Sequence, residues 1–273
     1  MINRDSPIGV FDSGIGGLTV ARELFQLLPN ESVVYFGDTA RVPYGPKSPD
    51  TVLHYSREAT AFLLSRDVKM IVIACNTATA HAFGTLRTEL PVPVIGVVEP
   101  GARTAARASK SGRIGVIGTA GTIGSGAYDY AVRRLVEDAR VYAQPCPLFV
   151  PLIEEGWMER EATRLVAQEY LKPLLDVDID VLILGCTHYP LMSDVLKSIL
   201  GDQVALVDSA RETALEVKNV LQEHDLMRTS NTPPKHTFIA SDSPLRFREV
   251  GRRFLGDKIV EVERVDVEGD ALR

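Results

Sequence analysis

Cysteine is scarce in this chain: three residues in 273. Three thiols cannot build the disulfide framework of a small secreted protein, and no Cys-x-x-Cys pair is present to suggest redox chemistry or a zinc ribbon. Excess positive charge is missing too. Thirty Lys and Arg stand against 36 Asp and Glu, for a net charge of −6, so there is no basic footprint for nucleic acid or an anionic membrane. No apolar run approaches the roughly 20 residues that span a bilayer. The opening "MINRDSPIGVFDSG" has no apolar segment of signal-peptide type. Asn-Gly and Asp-Gly, the dipeptides of tight hairpins, are also absent. These absences lead us to expect a cytoplasmic protein with neither nucleic-acid nor membrane partners. Its cysteines are then either inert core residues or reactive thiols.

The chain does have alternation. Short apolar, β-branched runs read as strands at Ile8–Phe11, Ser32–Phe36, Met70–Ile73, Val94–Val97, Ile114–Ile117, Val181–Leu184, Val204–Val207 and His236–Ala240. Amphipathic stretches between them read as helices, among them Gly17–Leu28, Pro49–Ser65, Tyr128–Asp138, Glu161–Leu175 and Arg211–His224. Strands alternating with helices predict an α/β fold with parallel sheets covered on both faces.

A weak internal repeat sharpens this. "IGVFDSG" (8–14) resembles "IGVIGTA" (114–120), "VVYFGDT" (33–39) falls against "RVYAQPC" (140–146), and "DVKMIVIACNT" (67–77) resembles "DIDVLILGCTH" (178–188). Three strands of one half have counterparts, in order, in the other. We therefore expect two similar doubly wound domains related by a pseudo-two-fold axis, residues 1–97 plus 207–273 and residues 98–206. Ligands of open α/β sheets bind beyond the carboxyl ends of the strands, so Asp12, Asp38, Cys75, Thr119 and Cys186 would converge on one cleft.

A cysteine after an apolar run is usually a small buried hydrophobe, and Cys146, between two prolines, is read that way. Cys75 and Cys186 differ, because they occupy equivalent places in the repeat and are followed at once by hydrogen-bonding side chains. Zinc would want more ligands than the single Cys-His pair of "CTH", and no metal is expected. A thiol of ordinary pKa near 8.5 can serve as thiolate base or thiol acid around neutral pH. A base on one face of a carbon and an acid on the other invert its configuration. One thiol per half is what a racemase acting on mirror images would need.

Five stretches, "FDSGIGGLTV" (11–20), "YFGDTARVPYG" (35–45), "ACNTATA" (74–80), "VIGTAGTI" (116–123) and "LGCTHYPL" (184–191), resemble the successive motifs of the glutamate racemases, within the aspartate/glutamate racemase family. The resemblance runs from about residue 8 through "DSARETA", near residue 214. "CTHYP" together with "DSGIGGL" favours the glutamate type, since aspartate relatives usually carry a glutamate where His188 stands.

The resemblance implies cofactor-free racemisation of L- and D-glutamate for peptidoglycan synthesis. Cys75 and Cys186 would be the acid/base groups, Cys75 acting on the D-enantiomer and Cys186 on the L-enantiomer. Asp12 would pair with the substrate ammonium, His188 would shuttle a proton to its neighbouring thiol, and Asp38 and Glu154 would orient or assist the Cys75 and Cys186 sides. Substrate contacts would come from Asp12, Ser13, Tyr44 and Gly45 on one side of the motif set. The rest would come from Asn76, Thr77, Thr119, Thr122, Thr187 and His188. The resemblance allows a homodimer and leaves the oligomeric state open. Aspartate or broad-specificity racemisation stays an alternative, as does a non-catalytic amino-acid-binding module, because fold alone does not fix function. A nucleotide-dependent enzyme is the weaker reading, since "GIGGLT" lacks the third glycine of the dinucleotide fingerprint.

Overall fold

The computed structural model describes residues 2–259 and 261–266. Along the chain the elements are β1 (Ile8–Asp12), α1 (Leu18–Leu27), β2 (Val33–Gly37), α2 (Pro49–Leu64), β3 (Met70–Ile73), α3 (Asn76–Glu89) and β4 (Val94–Gly96). There follow α4 (Val98–Ala108), β5 (Arg113–Gly118), α5 (Ala120–Gly124), α6 (Ala127–Arg133), β6 (Arg140–Pro145), α7 (Phe149–Glu154), α8 (Glu161–Leu175) and β7 (Val181–Gly185). The remainder comprises α9 (Ser193–Leu200), β8 (Ala205–Val207), α10 (Ser209–Glu223), β9 (His236–Ala240), α11 (Pro244–Leu255) and β10 (Glu263–Arg264).

Two parallel sheets result. One has the order β10-β9-β2-β1-β3-β4 and the other β6-β5-β7-β8. The run β2-β1-β3-β4 and the run β6-β5-β7-β8 are the same order built from successive strands, so the repeat read in the sequence is a repeat of topology. In each, the order reverses at one point, between β1 and β3 and between β5 and β7. Such a switch point opens a crevice where flanking loops diverge to opposite faces of the sheet.

The central strands of both sheets are buried on both faces. Alternate residues of β1 to β3 divide between two apolar clusters: Ile8, Val10, Tyr35 and Val72 face one, Phe11, Phe36, Ile71 and Ile73 the other. In the second sheet Ile117, Leu182 and Leu184 join the first of these clusters, while Ile114, Val116, Val181 and Ile183 face a third. One core thus runs continuously beneath both sheets. Each fully buried side chain of this kind contributes about 1.5–3 kcal/mol.

The helices read from sequence are present, with one correction. The helix expected over Tyr128–Asp138 ends at Arg133. Leu135 and Val136 beyond it face solvent, so no apolar stripe holds another turn before the chain enters β6. The C-terminal residues 267–273 of the expected first domain lie outside the described residues, as do residues 1 and 260.

A buried ion pair ties the base of the first sheet together. Lys69 is fully buried, and its Nζ donates to Glu31 Oε2 (2.5 Å) and to the carbonyls of Arg4 (2.6 Å) and Leu226 (2.8 Å). Glu31, 2% exposed, also accepts from the Arg228 amide at 2.8 Å. Three chain segments remote in sequence meet on one ammonium.

Candidate active site

The two switch points carry the two thiols. Cys75 follows β3 and is the N-cap of α3: its backbone is extended, and its sulfur accepts from the Ala78 amide at 3.4 Å. A thiol there lies at the positive end of a 14-residue helix, which favours its thiolate. The thiol also donates to Ser13 Oγ at 3.3 Å, bringing the β1 loop beside it. Burial pushes Cys75 up to about 12, and the Asp12 carboxylate adds to the shift. The charge of Cys186 is felt at Cys75 as well, so the two sulfurs share one electrostatic environment.

Cys186 follows β7 and lacks a helix of that length behind it; a short 3-10 turn, Tyr189–Met192, comes next. Its partner is His188, whose Nδ1 lies 3.9 Å from the sulfur and whose Nε2 lies 3.0 Å from Glu154 Oε1. Burial works to lower the His188 pKa, but the hydrogen bonds to Cys186 and Glu154 outweigh it and raise the imidazole to about 10. The ring is therefore an imidazolium at neutral pH, donating from both nitrogens. Burial alone would raise Glu154, yet the His188 hydrogen bond holds it below the usual carboxylate range. The two thiols thus have different surroundings, a helix terminus on one side and the His188–Glu154 pair on the other.

Beside Cys75 lie unpaired polar atoms. Asp12, 1% exposed, accepts from the Gly14 amide through Oδ2 (2.8 Å), while its Oδ1 is buried without a partner among the described residues. Burial raises its pKa. The Asn76 amide is held by Tyr128, whose hydroxyl donates to Oδ1 at 2.6 Å, and Asn76 Nδ2 has no partner among the described residues. A buried acceptor and a buried donor left open cost free energy unless something satisfies them. An α-amino acid offers an ammonium for the first and a carboxylate for the second.

Hydroxyls join the halves. Thr77, Thr119 and Thr122 form a triangle with oxygen separations of 2.8, 3.1 and 3.0 Å. Gly121 N donates to the Gly45 carbonyl at 2.7 Å, also across the halves. A Cβ on Gly45 would stand 2.8 Å from the Thr119 Cβ, and one on Gly16 would stand 2.2 Å from Thr187 Oγ1 and 2.4 Å from His188 Nδ1. These glycines allow loops of opposite halves to touch.

Asp38 sits elsewhere in the network than expected from its place in the motif. It is fully buried, and its carboxylate accepts from Arg41 Nε (2.7 Å), the Tyr44 hydroxyl (2.5 Å) and Ser241 Oγ (3.0 Å). Its link to the Cys75 side is through the backbone, Asp38 N donating to the Asp12 carbonyl at 3.0 Å. Cys146 is buried, its thiol donating to the Gln144 carbonyl at 3.6 Å. Among the described residues no group of three or more His, Cys, Asp and Glu side chains could hold a metal ion, and no helix is long and apolar enough to cross a membrane.

The Asp/Glu/Hydantoin racemase family model matches residues 8–217. The chain belongs to this racemase family. Among its relatives, the glutamate racemase of Geobacter metallireducens is 51% identical over 263 residues, covering 96% of this chain and 97% of that one. The crystal structure of glutamate racemase isoform RacE1 from Bacillus anthracis superimposes with a TM-score of 0.92 at 42% identity, covering 97% of this chain and 98% of that one. Glutamate racemase from Francisella tularensis, solved in complex with D-glutamate, gives 0.92 at 40% identity and covers 97% and 99%.

In this racemase, sequence reading passed over several residues that shape the site. Arg41 and Ser241 complete the shell of Asp38, Tyr128 fixes the Asn76 amide, and Phe254 sets its ring edge-on to His188 with centroids 5.6 Å apart. Only Arg41, three residues from Asp38, had a local signal; the others are brought in by tertiary packing.

The neighbouring charges make a pH prediction. Burial and the Asp12 carboxylate both hold the Cys75 thiol protonated. Asp12→Asn removes the carboxylate, so the Cys75 pKa should fall and its alkylation by iodoacetamide should set in at lower pH. Racemisation should nevertheless drop by about 10²-fold or more, because the buried Oδ1 left open to a cationic group becomes part of a neutral amide. Mass-spectrometric alkylation profiles across pH check the first part; an alkylation midpoint that stayed put or rose would contradict it.

Proposed function

We propose that this chain is a cofactor-independent glutamate racemase using Cys75 and Cys186 as paired acid and base. The observation that carries the reading is the placement of one thiol at each switch point of two matching sheets, with an open acceptor on Asp12 and an open donor on Asn76 beside them. A thiolate removes the Cα proton from one face, and the opposing thiol delivers a proton to the other. Asp12 holds the ammonium charged, which acidifies the Cα–H. Asn76, Ser13, the Thr77–Thr119–Thr122 hydroxyls, Thr187 and the backbone near Gly45 hold the carboxylates. His188, backed by Glu154, stabilises thiolate on Cys186 and relays its proton. Asp38 works by holding Tyr44 in place.

In this reading residues 1–97 with 207–273 and residues 98–206 are two domains whose cleft is the active site. D-Glutamate formed in the cytoplasm would supply peptidoglycan and so cell shape, and the enzyme would pair as a homodimer. The test is circular dichroism on purified protein with L-glutamate, D-glutamate and L-aspartate, no cofactor added. Both glutamates should converge on zero ellipticity. Aspartate should be slower by about 10²-fold or more, because the groups that meet a γ-carboxylate are left unpaired by the shorter acid. Equal rates with both acids would favour a broad-specificity racemase, and no turnover of any would favour the binding module.

A further inference from the structure

The C-terminal helix α11 rides on the first half of the molecule, packed on α1, where Gly251 lies against Leu18. Its last turns nevertheless reach the second half. Arg253 Nη1 donates to the Ile153 carbonyl at 3.2 Å and to the Glu154 carbonyl, at the C-terminal end of α7. The turn that follows passes through Gly156 at φ +73°, and a Cβ there would lie 3.0 Å from Arg253 Nη2. Glycine is thus suited to this position twice over, by its left-handed backbone and by the room it leaves the guanidinium. Phe254, from the adjacent position, sets its ring edge against His188, and Arg246, earlier on the helix, pairs with Glu155 at 3.1 Å. Arg253 and Phe254 from one helix thus reach the Glu154–His188 pair, and Arg246 holds the next residue, Glu155.

The end of a helix leaves its last carbonyls without partners inside the helix. At α7 the Glu154 carbonyl is taken by a cation, and the same guanidinium shares the Ile153 carbonyl with the Gly156 amide; a cation also suits the negative end of the helix dipole. Fixing those carbonyls fixes the backbone from which the Glu154 side chain reaches His188. The arginine stands on the opposite half of the molecule from the carboxylate it steadies.

We propose that Arg253 is a positioning residue for the Cys186 half-reaction, holding the C-terminus of α7 so that Glu154 keeps His188 oriented on the Cys186 thiol. This rests on the two-thiol reading above. It makes a one-sided expectation: loss of Arg253 should harm proton abstraction by Cys186 and spare abstraction by Cys75, which has its own helix terminus and Ser13.

The probe is 3-chloroglutamate of each Cα configuration, given to the full-length enzyme. Abstraction of the Cα proton expels chloride and leaves an enamine, which tautomerises to the imine and hydrolyses to 2-oxoglutarate and ammonium. Chloride release therefore reports the abstracting base alone. With Arg253→Met, release from the L-configured compound should fall about tenfold while release from the D-configured compound stays within twofold. Arg253→Lys, which keeps a cation able to reach one carbonyl, should recover part of the loss. Arg248→Met, on the exposed side of the same helix, should change neither. Equal loss with both configurations, or no loss with either, overturns the proposal, and if the methionine variant does not fold, the lysine variant makes the same comparison. Cys75→Ala and Cys186→Ala run alongside separate the two failures. If these do not show opposite preferences, the two-thiol reading falls and takes this proposal with it; if they do and Arg253→Met is even-handed, the positioning role alone is wrong.

Discussion

Cys75→Ala and Cys186→Ala are each expected to lose racemisation of both glutamate enantiomers, by at least about 10³-fold, since inversion needs a group on each face and a positioned acid or base supplies 10²–10⁴. Loss of both directions cannot by itself say which thiol faces which enantiomer. Elimination can, because it needs abstraction and no return of a proton. Cys75→Ala should keep elimination from the L-configured substrate through Cys186, and Cys186→Ala should keep it from the D-configured one through Cys75. The surroundings predict that the two survivors differ in pH response. Cys75, pushed up to about 12 by burial and Asp12, needs higher pH to become a base, so D-elimination in Cys186→Ala should climb with rising pH. The Cys186 sulfur has the His188 ring 3.9 Å away, and that ring is raised to about 10, so L-elimination in Cys75→Ala should lose rate as His188 deprotonates above about 10. If one variant kept elimination from both configurations while the other lost both, a single base would be doing all the abstraction.

Lys69→Met should be the most destabilising change away from the site. It removes the counter-charge of Glu31 in a place 2% exposed and leaves two carbonyls without their donor. Breaking a buried ion pair from one side costs about 3–5 kcal/mol, which for a chain of this size lowers the melting temperature by roughly 10 °C. Glu31→Gln combined with Lys69→Met should recover part of that loss, since the stranded charge is gone. The deficit should also depend on pH. An unpaired buried carboxyl has its folded pKa raised above the unfolded value. It therefore favours folding below the unfolded pKa, and that contribution is lost as pH rises through the folded pKa. The deficit of Lys69→Met should accordingly shrink on acidification. Thermal melts at pH 5 and pH 8 check this; a loss under about 1 kcal/mol at pH 8 would show that the pair is not buried in solution.

What could be read in advance followed from local chemistry. β1, β3, β5 and β7 declare themselves because strands buried on both faces are continuous apolar runs, and Cys75 and Cys186 stand out because each ends such a run. The acidic and hydroxyl residues beside them sit in the same short motifs. Residues whose role is made by distant contacts were not legible. His236–Ala240 reads as a strand, but nothing local says that it lies beside β2 and delivers Ser241 to Asp38. Helix α11 has no signature linking Arg253 to a turn a hundred positions earlier. Asp38 shows the same limit: its motif suggests work beside Cys75, while nothing local says that its carboxylate accepts from Arg41, Tyr44 and Ser241.

The dissimilar surroundings of the two sulfurs meet a thermodynamic constraint. Mirror-image acids have equal free energies, so the equilibrium constant of their exchange is one, and kcat/KM must be identical in the two directions. A helix terminus behind Cys75 and an imidazolium behind Cys186 cannot make the enzyme favour one enantiomer at equilibrium. The difference can surface only where the ratio cancels it: the direction with the larger kcat must carry the larger KM by the same factor. Under saturating substrate such a catalyst runs faster one way, and at low substrate it is even-handed. The asymmetry of the site thus sets how flux responds to the size of each glutamate pool, leaving the final balance of the pools untouched.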